Sequence, residues 1–295
     1  MLRAGSTEIS VPLVKKKNGL LRLPRISFSH IGIFLSAAFL LFLTLCAIAP
    51  ELFTSYSPVD MNAELLLLPP SAGHWLGTDH FGRDMWTILV YGARSSMLLG
   101  ILSVLIGSVA GLIIGMISGY FGGWIDTITM RIIDVIMTIP GTLLAIIIAV
   151  AIGPTFFNVV LAISIAYIPS YARVVRSAVM SIVSRSYIDA ARTIGTPVPV
   201  IMLRHILPGC LSPLLVMATI GVGMSILAGT GLSFLGLGVI KEIPDWGYIL
   251  SEGRSYITVA WWISVFPGLF ITLLVVAFNI LGDELRDRLD PRHIR

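Results

Sequence analysis

The sequence predicts an all-α integral membrane protein with six transmembrane helices and both termini in the cytoplasm. Of its 295 residues, 56% are hydrophobic and only 12% are charged, whereas soluble domains carry roughly 25% charged residues. Apolar runs long enough to cross a bilayer recur along the chain, and basic residues concentrate in the segments that flank them. Because of this placement, the net charge of +4 indicates contact with the lipid bilayer and not with a nucleic acid.

The first element is a polar, basic stretch at residues 1–29, which is predicted to be a cytoplasmic N-terminal lead. The apolar run at 31–49 follows, and at 1.5 Å per residue it would span about 28 Å, enough for the hydrocarbon core. It is too long for the apolar region of a cleaved signal peptide. Residues 30–93 are therefore predicted to hold the first transmembrane helix and an extracytoplasmic loop.

The loop contains the sequence HWLGTDHFGRD at 74–84, in which turn-forming glycines alternate with charged residues. This pattern predicts a compact, charge-paired loop that leads into a helix capped by its last aspartate. The residues concerned are Gly77, Asp79, Gly82, Arg83 and Asp84. A metal site built from His74 and His80 with these carboxylates is an alternative, but carboxylates beside an arginine are usually structural, and we predict no metal.

The next spans are predicted at 97–121, 132–152 and 156–172, with a short inside turn at 122–131. In the first of them, glycines recur every fourth residue and share one helix face: Gly107, Gly111, Gly115 and Gly119. Such a seam of small residues lets another helix approach closely, within the subunit or at a dimer interface. Asp134, three residues after Arg131, is interpreted as an ion-paired helix end at the inner surface in preference to a functional intramembrane charge.

The last spans are predicted at 211–235 and 259–281, with an outside segment at 239–260 between them. This segment contains Asp245 and Trp246, and Trp246, Trp261 and Trp262 together fit an interfacial aromatic belt. Cys46 and Cys210 are far apart in sequence and lack metal-ligand spacing, so both are predicted to be small buried side chains.

The longest polar interruption in the second half of the chain is the segment 185–208, RSYIDAARTIGTPVPVIMLRHILP. Its arginines outnumber its one acid, Asp189, which places it in the cytoplasm. Residues 187–194 are predicted to form a short helix along the membrane face, flat at Ala190 and Ala191 and ended by Gly195. The three prolines of the segment are expected to stop the helix from continuing. An ordinary cytoplasmic connector is the competing interpretation.

The order Asp-Ala-Ala at 189–191, Gly195 and Leu207-Pro208 resembles the Glu-Ala-Ala loop of ABC importer permeases, with Asp189 in place of Glu and His205 in place of Ile. LGTD, GRD, SFLGLG and PDWG resemble motifs of the C-type permease in the dipeptide/oligopeptide/nickel branch. The resemblance implies a type I importer fold, with a core at 94–283, a coupling loop at 185–208 and a cytoplasmic tail at 284–295. It implies ATPase-coupling residues Asp189, Ala190, Ala191, Arg192, Gly195, Leu207 and Pro208, and an outer face that includes Asp245 and Trp246.

The resemblance further implies a bacterial inner-membrane location and several partners. These are a second homologous permease chain in a heterodimer, two ABC ATPase subunits and an extracytoplasmic solute-binding protein. None of the four lysines precedes Ser or Thr, so the chain has no phosphate-binding loop and is expected to be non-catalytic. We expect no cofactor on this chain, with ATP and magnesium held by the ATPase subunits.

The expected cargo is di- or oligopeptides, with glutathione or a nickel or other metal chelate as the alternative. An ion-coupled secondary transporter would need charged residues inside its spans, where the sequence offers Asp134 alone. A membrane enzyme would need a catalytic constellation that the sequence does not show.

Overall fold

The computed structural model describes residues 28–238 and 242–289; most of the predicted lead and the last six residues of the tail lie outside this part. Within it the fold is all-α, without a β-strand, as predicted. The long helices are α1 (Phe28–Ile48), α2 (Met85–Phe121), α3 (Gly123–Met137), α4 (Gly141–Ile152), α5 (Phe156–Val183), α8 (Leu207–Phe234) and α10 (Trp262–Leu289). The short ones are α6 (Ser186–Thr193), α7 (Val198–Val200) and α9 (Trp246–Gly253).

The described part contains five helices long and apolar enough to cross a membrane, and a bent pair that makes a sixth if counted as one span. That pair is α3 and α4, which meet at 87°, so the third span predicted at 132–152 begins earlier than expected and is broken before Gly141. Gly122 and Gly123 adopt φ of +61° and +55°, which ends α2 and lets α3 begin at once, where an inside turn was predicted. Pro140 then precedes α4 and has no N–H to continue the helix.

The central helix is α2, whose 37 residues cover about 55 Å. It begins well before the predicted span because the Asp84 carboxylate accepts the backbone N–H of Thr87, 2.9 Å away, and caps the helix. The first turns of α2 are buried at Met85, Ile88 and Leu89. These turns support the outer loop at 74–84 and lie outside the predicted membrane span.

The glycines on one face of α2 bring its backbone against α5. A Cβ at Gly111 would lie 2.5 Å from Cβ of Tyr171, and one at Gly115 would lie 2.5 Å from the carbonyl oxygen of Ala172. Gly107 and Gly119 face the same helix. The seam is therefore a packing face within this subunit, of the small-residue type found between membrane helices.

The helical structure that begins at Val198 continues through Pro208 into α8. The prediction that Pro208 stops the helix is therefore wrong. Helical structure runs from Val198 to Phe234 because a π-helical turn at Ile201–Ile206 joins α7 to α8. Leu207 donates its N–H to the carbonyl of Met202, five residues back, immediately before Pro208. This wider turn makes room for a proline that can donate no hydrogen bond.

Around the α2–α5 pair, α8 packs against α2, α5 and α10, and α1 packs against α2 and α10. Helices α5 and α10 extend beyond their predicted spans, to Val183 and Leu289. Cys46 and Cys210 are buried, free thiols.

Candidate functional site

The predicted cytoplasmic helix exists as α6, held by its apolar face. Ile188 is fully buried and Ala191 nearly so, while Asp189 and Ala190 face outward. The buried face contacts the end of α5 and the π-helical turn. The exposed face of α6, which includes Asp189 and Ala190, therefore lies on an anchored helix and is accessible to a partner.

The end of α6 forms a Schellman motif. Thr196 donates its backbone N–H to the carbonyl of Ala191 at 3.0 Å, and Gly195 donates to the carbonyl of Arg192 at 3.0 Å. Gly195 has φ of +79°, the left-handed conformation that this motif requires. A Cβ there would meet no neighbour, so the constraint at 195 lies in the backbone and not in packing.

Arg192 links α6 to the end of α2. Its guanidinium carbon lies 5.2 Å from the ring centroid of Tyr120, within the range of a cation–π interaction. The same side chain lies 3.6 Å from the Asp189 carboxylate. Arg192 therefore connects α6 to the central helix α2, in addition to the contact between α6 and α5.

His205, which stands where the family pattern has an apolar residue, lies in the π-helical turn Ile201–Ile206. The first and last residues of that turn, Ile201 and Ile206, are both fully buried. His205 is partly buried, and its Nδ1 has no hydrogen-bond partner among the described residues. Leu207 is half-buried and Pro208 exposed, both in the first turn of α8.

Apolar side chains surround the exposed face of α6. Ile194 is 81% exposed and Leu203 62%, and Tyr187 is also exposed. Apolar exposure of this extent at a basic, aqueous face is typical of a protein interaction surface.

A salt bridge missed in the sequence binds the inner ends of three helices. Asp126 of α3 accepts hydrogen bonds from Arg176 of α5 and Ser118 of α2. The signal available was a lone acid in the inside turn and an arginine just after the span predicted at 156–172. Asp134 pairs with Arg173 at 2.7 Å and not with Arg131, so its ion-pair partner lies in another helix.

On the opposite face, Asp79 and Arg83 form the centre of the outer loop. Their side chains are only 3% and 6% exposed, and Arg83 Nε lies 2.7 Å from Asp79 Oδ2. Asp79 also accepts the backbone N–H groups of Phe81 and Arg83. Gly77 and Gly82 make the turns on either side with φ of +78° and +76°.

Asp84 pairs with His74, 2.9 Å away, and not with Arg83 as the charge pattern had suggested. His80 faces Glu252 at 3.6 Å, against α9. The four residues considered for a metal are thus divided among three separate pairs. No group of three His, Cys, Asp or Glu side chains suited to a metal occurs in residues 28–238 and 242–289.

Trp246 and Trp262 are buried, so the predicted aromatic belt is wrong at these two positions. Trp246 donates its indole N–H to the carbonyl of Leu89 at 2.9 Å, and Trp262 donates to the carbonyl of Thr78 at 3.0 Å. Trp261 is exposed. The two buried indoles fasten α9 and α10 to α2 and the outer loop.

Asp245 caps α9 by accepting the N–H of Tyr248 at 2.9 Å, and its other oxygen accepts the Ser233 hydroxyl of α8 at 2.9 Å. Farther along α9, a hydrogen bond to Glu252 raises the pKa of Tyr248, and burial of the phenol adds to the shift. The outer ends of α2, α8, α9 and α10 and the loop therefore form one hydrogen-bonded layer.

These features define a polytopic helical membrane protein with a rigid outer layer and an anchored, exposed helix on its cytoplasmic face. Residues 111–295 match the model of the family described as binding-protein-dependent transport system inner membrane component. The chain is 42% identical to a dipeptide transport system permease protein of Alkalihalophilus pseudofirmus, over 89% of this chain and 85% of that protein. It is 44% identical to a glutathione transport system permease protein of Pectobacterium atrosepticum, over 76% and 74%.

The fold is also that of solved ABC transporters. A chain of the MetNI methionine ABC transporter in an inward-facing conformation matches with a TM-score of 0.57 at 21% identity, covering 70% of this chain and 98% of that one. A chain of an amino acid ABC transporter matches with a TM-score of 0.51 at 18% identity, covering 69% and 93%.

The chain belongs to the family of inner membrane components of binding-protein-dependent transport systems. It is an ABC importer permease, a multi-pass protein of the bacterial inner membrane. Permeases of this kind work, in general, with ATPase subunits and a binding protein. The family resemblance, the helical fold class and the location predicted from the sequence are confirmed.

Proposed function

We propose that this chain forms half of the translocation pathway for di- or oligopeptides, with a second homologous permease chain forming the other half. The observation that carries the coupling part of the proposal is α6, a helix anchored at Ile188 and Ala191 and open at Asp189 and Ala190. Two ATPase subunits would bind beneath the pair, holding the ATP and magnesium, and this chain would be non-catalytic.

The anchoring of α6 supports its role as the coupling element. A helix that moved freely on the membrane face would absorb the motion of an ATPase and transmit nothing. Arg192 against Tyr120, Ile188 in the core and the fixed turn at Gly195 instead tie α6 to α2, α5 and the π-helical turn before α8. When ATP closes the ATPase pair, this subunit would follow, and it must bind the closed arrangement better in its outward-facing state.

An open, apolar cleft supports the assignment of half a pathway. It lies between α4, α5 and α8, has a volume of about 210 Å³, and is lined by residues that include Thr142, Tyr167, Met224, Leu227 and Gly231. The open cleft has the shape expected of one wall of a passage, and a second chain would supply the other wall. Small and apolar linings suit cargo whose side chains vary.

Peptide cargo is supported by relatives named for dipeptide or di/tripeptide transport, which align with 89–90% of this chain. Glutathione is the second candidate, because relatives named for its transport are 44–45% identical over 76% of the chain. Binding assays with the cognate extracytoplasmic binding protein would separate the two, since that protein would deliver the cargo.

The coupling proposal is tested with Ala190→Arg on the exposed face of α6 and Ser181→Arg on the nearby exposed end of α5 as the control. A tag on this chain is used to recover its partners from gently solubilised membranes. We expect Ala190→Arg to retain the second permease chain but to lose ATPase subunits and transport, and Ser181→Arg to retain all three. Normal ATPase recovery and transport in Ala190→Arg would refute the role of α6.

Transport itself should be inhibited by vanadate and indifferent to protonophores. The reverse result would favour an ion-coupled secondary transporter over an ATP-driven importer.

A further inference from the structure

A cleft of about 490 Å³ opens at the outer end of α1 and α2 and takes no part in the layer described above. It is lined by Ile48 and Glu51 near the end of α1, by Arg94 of α2, and by Glu242 from the segment before α9. All four side chains are exposed.

The charged groups of this cleft have no partners among the described residues. Neither the Arg94 guanidinium nor the carboxylates of Glu51 and Glu242 makes an ion pair or a side-chain hydrogen bond there. One free cation and two free anions therefore line one concave site. Arg83 of the outer loop, by contrast, is fully paired.

The length of α2 bears on the depth of Arg94 in the membrane. Tyr120, which contacts Arg192 of α6, is about 39 Å from Arg94 along α2 at 1.5 Å per residue. The hydrocarbon core is about 30 Å thick, so a cytoplasmic interface at Tyr120 would place Arg94 at the outer interface. A headgroup of the outer leaflet would then be within reach of Arg94.

An apolar groove continues from Arg94 toward the centre of the membrane. A second cleft of about 340 Å³ shares Ile48 and Arg94 with the first and is lined farther down by Leu98 and Ile101 of α2. Ile101 is about 10 Å deeper than Arg94 along the helix. The site therefore has a charged head and an apolar stem, arranged along the membrane normal.

We propose that this cleft binds a phospholipid of the outer leaflet whose headgroup carries a primary ammonium, as in phosphatidylethanolamine. Arg94 would bind the phosphate, Glu51 and Glu242 would accept hydrogen bonds from the ammonium, and one acyl chain would follow Leu98 and Ile101. The two carboxylates disfavour a headgroup with net negative charge, as in phosphatidylglycerol. A quaternary ammonium has no N–H to donate to them, which disfavours phosphatidylcholine.

The test uses the purified importer complex and native mass spectrometry with three lipids that share acyl chains: phosphatidylethanolamine, phosphatidylcholine and phosphatidylglycerol. We expect the wild type to retain the first in preference to the others. Arg94→Gln should weaken its retention about tenfold, as for the loss of a hydrogen bond to a charged group. The double variant Glu51→Gln with Glu242→Gln should lose the preference over phosphatidylcholine.

Arg254→Gln is the matched control, because it removes one positive charge from the outer face away from the cleft, where Arg254 lies over the Phe234 ring. It should retain the lipid as the wild type does. Equal retention of the three lipids by the wild type would overturn the proposal. Equal losses in Arg94→Gln and Arg254→Gln, or no loss in Arg94→Gln, would overturn it as well.

Discussion

Replacing Gly115 by alanine tests how closely α2 and α5 approach each other. The new Cβ would lie 2.5 Å from the carbonyl oxygen of Ala172 and 2.8 Å from Cβ of Val175, whereas ordinary contact begins at 3.4 Å. The helices must therefore separate locally by about 0.9 Å. The nearest obstacle is backbone, so no side-chain rotation can relieve the overlap.

The expected loss of stability follows from two opposing terms. Overpacking of a well-packed interface costs about 1–3 kcal/mol. Alanine recovers about 0.5–1 kcal/mol because it restricts the unfolded chain and favours a helix more than glycine does. The free energy of unfolding should thus fall by about 0–2.5 kcal/mol in Gly115→Ala.

Two further glycines provide controls for this substitution. Gly32 of α1 has no neighbour within 4 Å of the position that a Cβ would occupy, so Gly32→Ala should gain about 0.5–1 kcal/mol. A Cβ at Gly107 would lie 3.2 Å from its nearest atom, the carbonyl oxygen of Ser164. The stability of Gly107→Ala should therefore lie between those of Gly115→Ala and Gly32→Ala. Unfolding by denaturing detergent, followed by tryptophan fluorescence, measures all three. A Gly115→Ala variant as stable as Gly32→Ala would refute the close approach of α2 and α5.

Two further predictions concern the outer layer. Asp79→Asn should lower the free energy of unfolding by about 3–5 kcal/mol, because it leaves Arg83 buried without its counter-charge; Glu284→Gln, at the exposed end of α10, should change it by about 1 kcal/mol or less. Similar losses in both would argue against burial as the cause. Glu252→Ala should lower the pKa of Tyr248 toward the ordinary tyrosine value in a spectrophotometric titration, because it removes the hydrogen bond that raises it. Since the pKa is higher in the folded state, the stabilising effect of Tyr248 is complete below about pH 10 and is lost as the pH rises through the folded pKa. An unchanged titration in Glu252→Ala would contradict the hydrogen bond.

Features that depend on neighbouring residues can be predicted from the sequence. A helix cap such as Asp84, a four-residue glycine repeat and a helix-ending glycine such as Gly195 each obey a local rule. The number of apolar runs and the side of the basic loop follow from composition in the same way. For these features one stretch of sequence holds all the information required.

Features that join distant parts of the chain could not be predicted. The indole N–H of Trp262 bonds to the carbonyl of Thr78, and that of Trp246 to the carbonyl of Leu89, partners from other elements. Without knowledge of those carbonyls, a tryptophan near a membrane surface is assigned to the interface. Likewise, hydropathy remains high through 132–152 and carries no sign of the 87° bend between α3 and α4, where Pro140 alone marks the break.

The π-helical turn before Pro208 makes the backbone from Val198 to Phe234 one continuous helix. Its 37 residues are about 55 Å long, so the helix can reach from one surface of the membrane to the other. A tilt of about 5° around its midpoint moves each end by about 2.4 Å, in opposite directions. At the outer end, the Ser233 hydroxyl is bonded to Asp245 of the outer layer. If the helix tilts as a rigid body, a displacement of its cytoplasmic end would move the Ser233–Asp245 contact in the opposite direction.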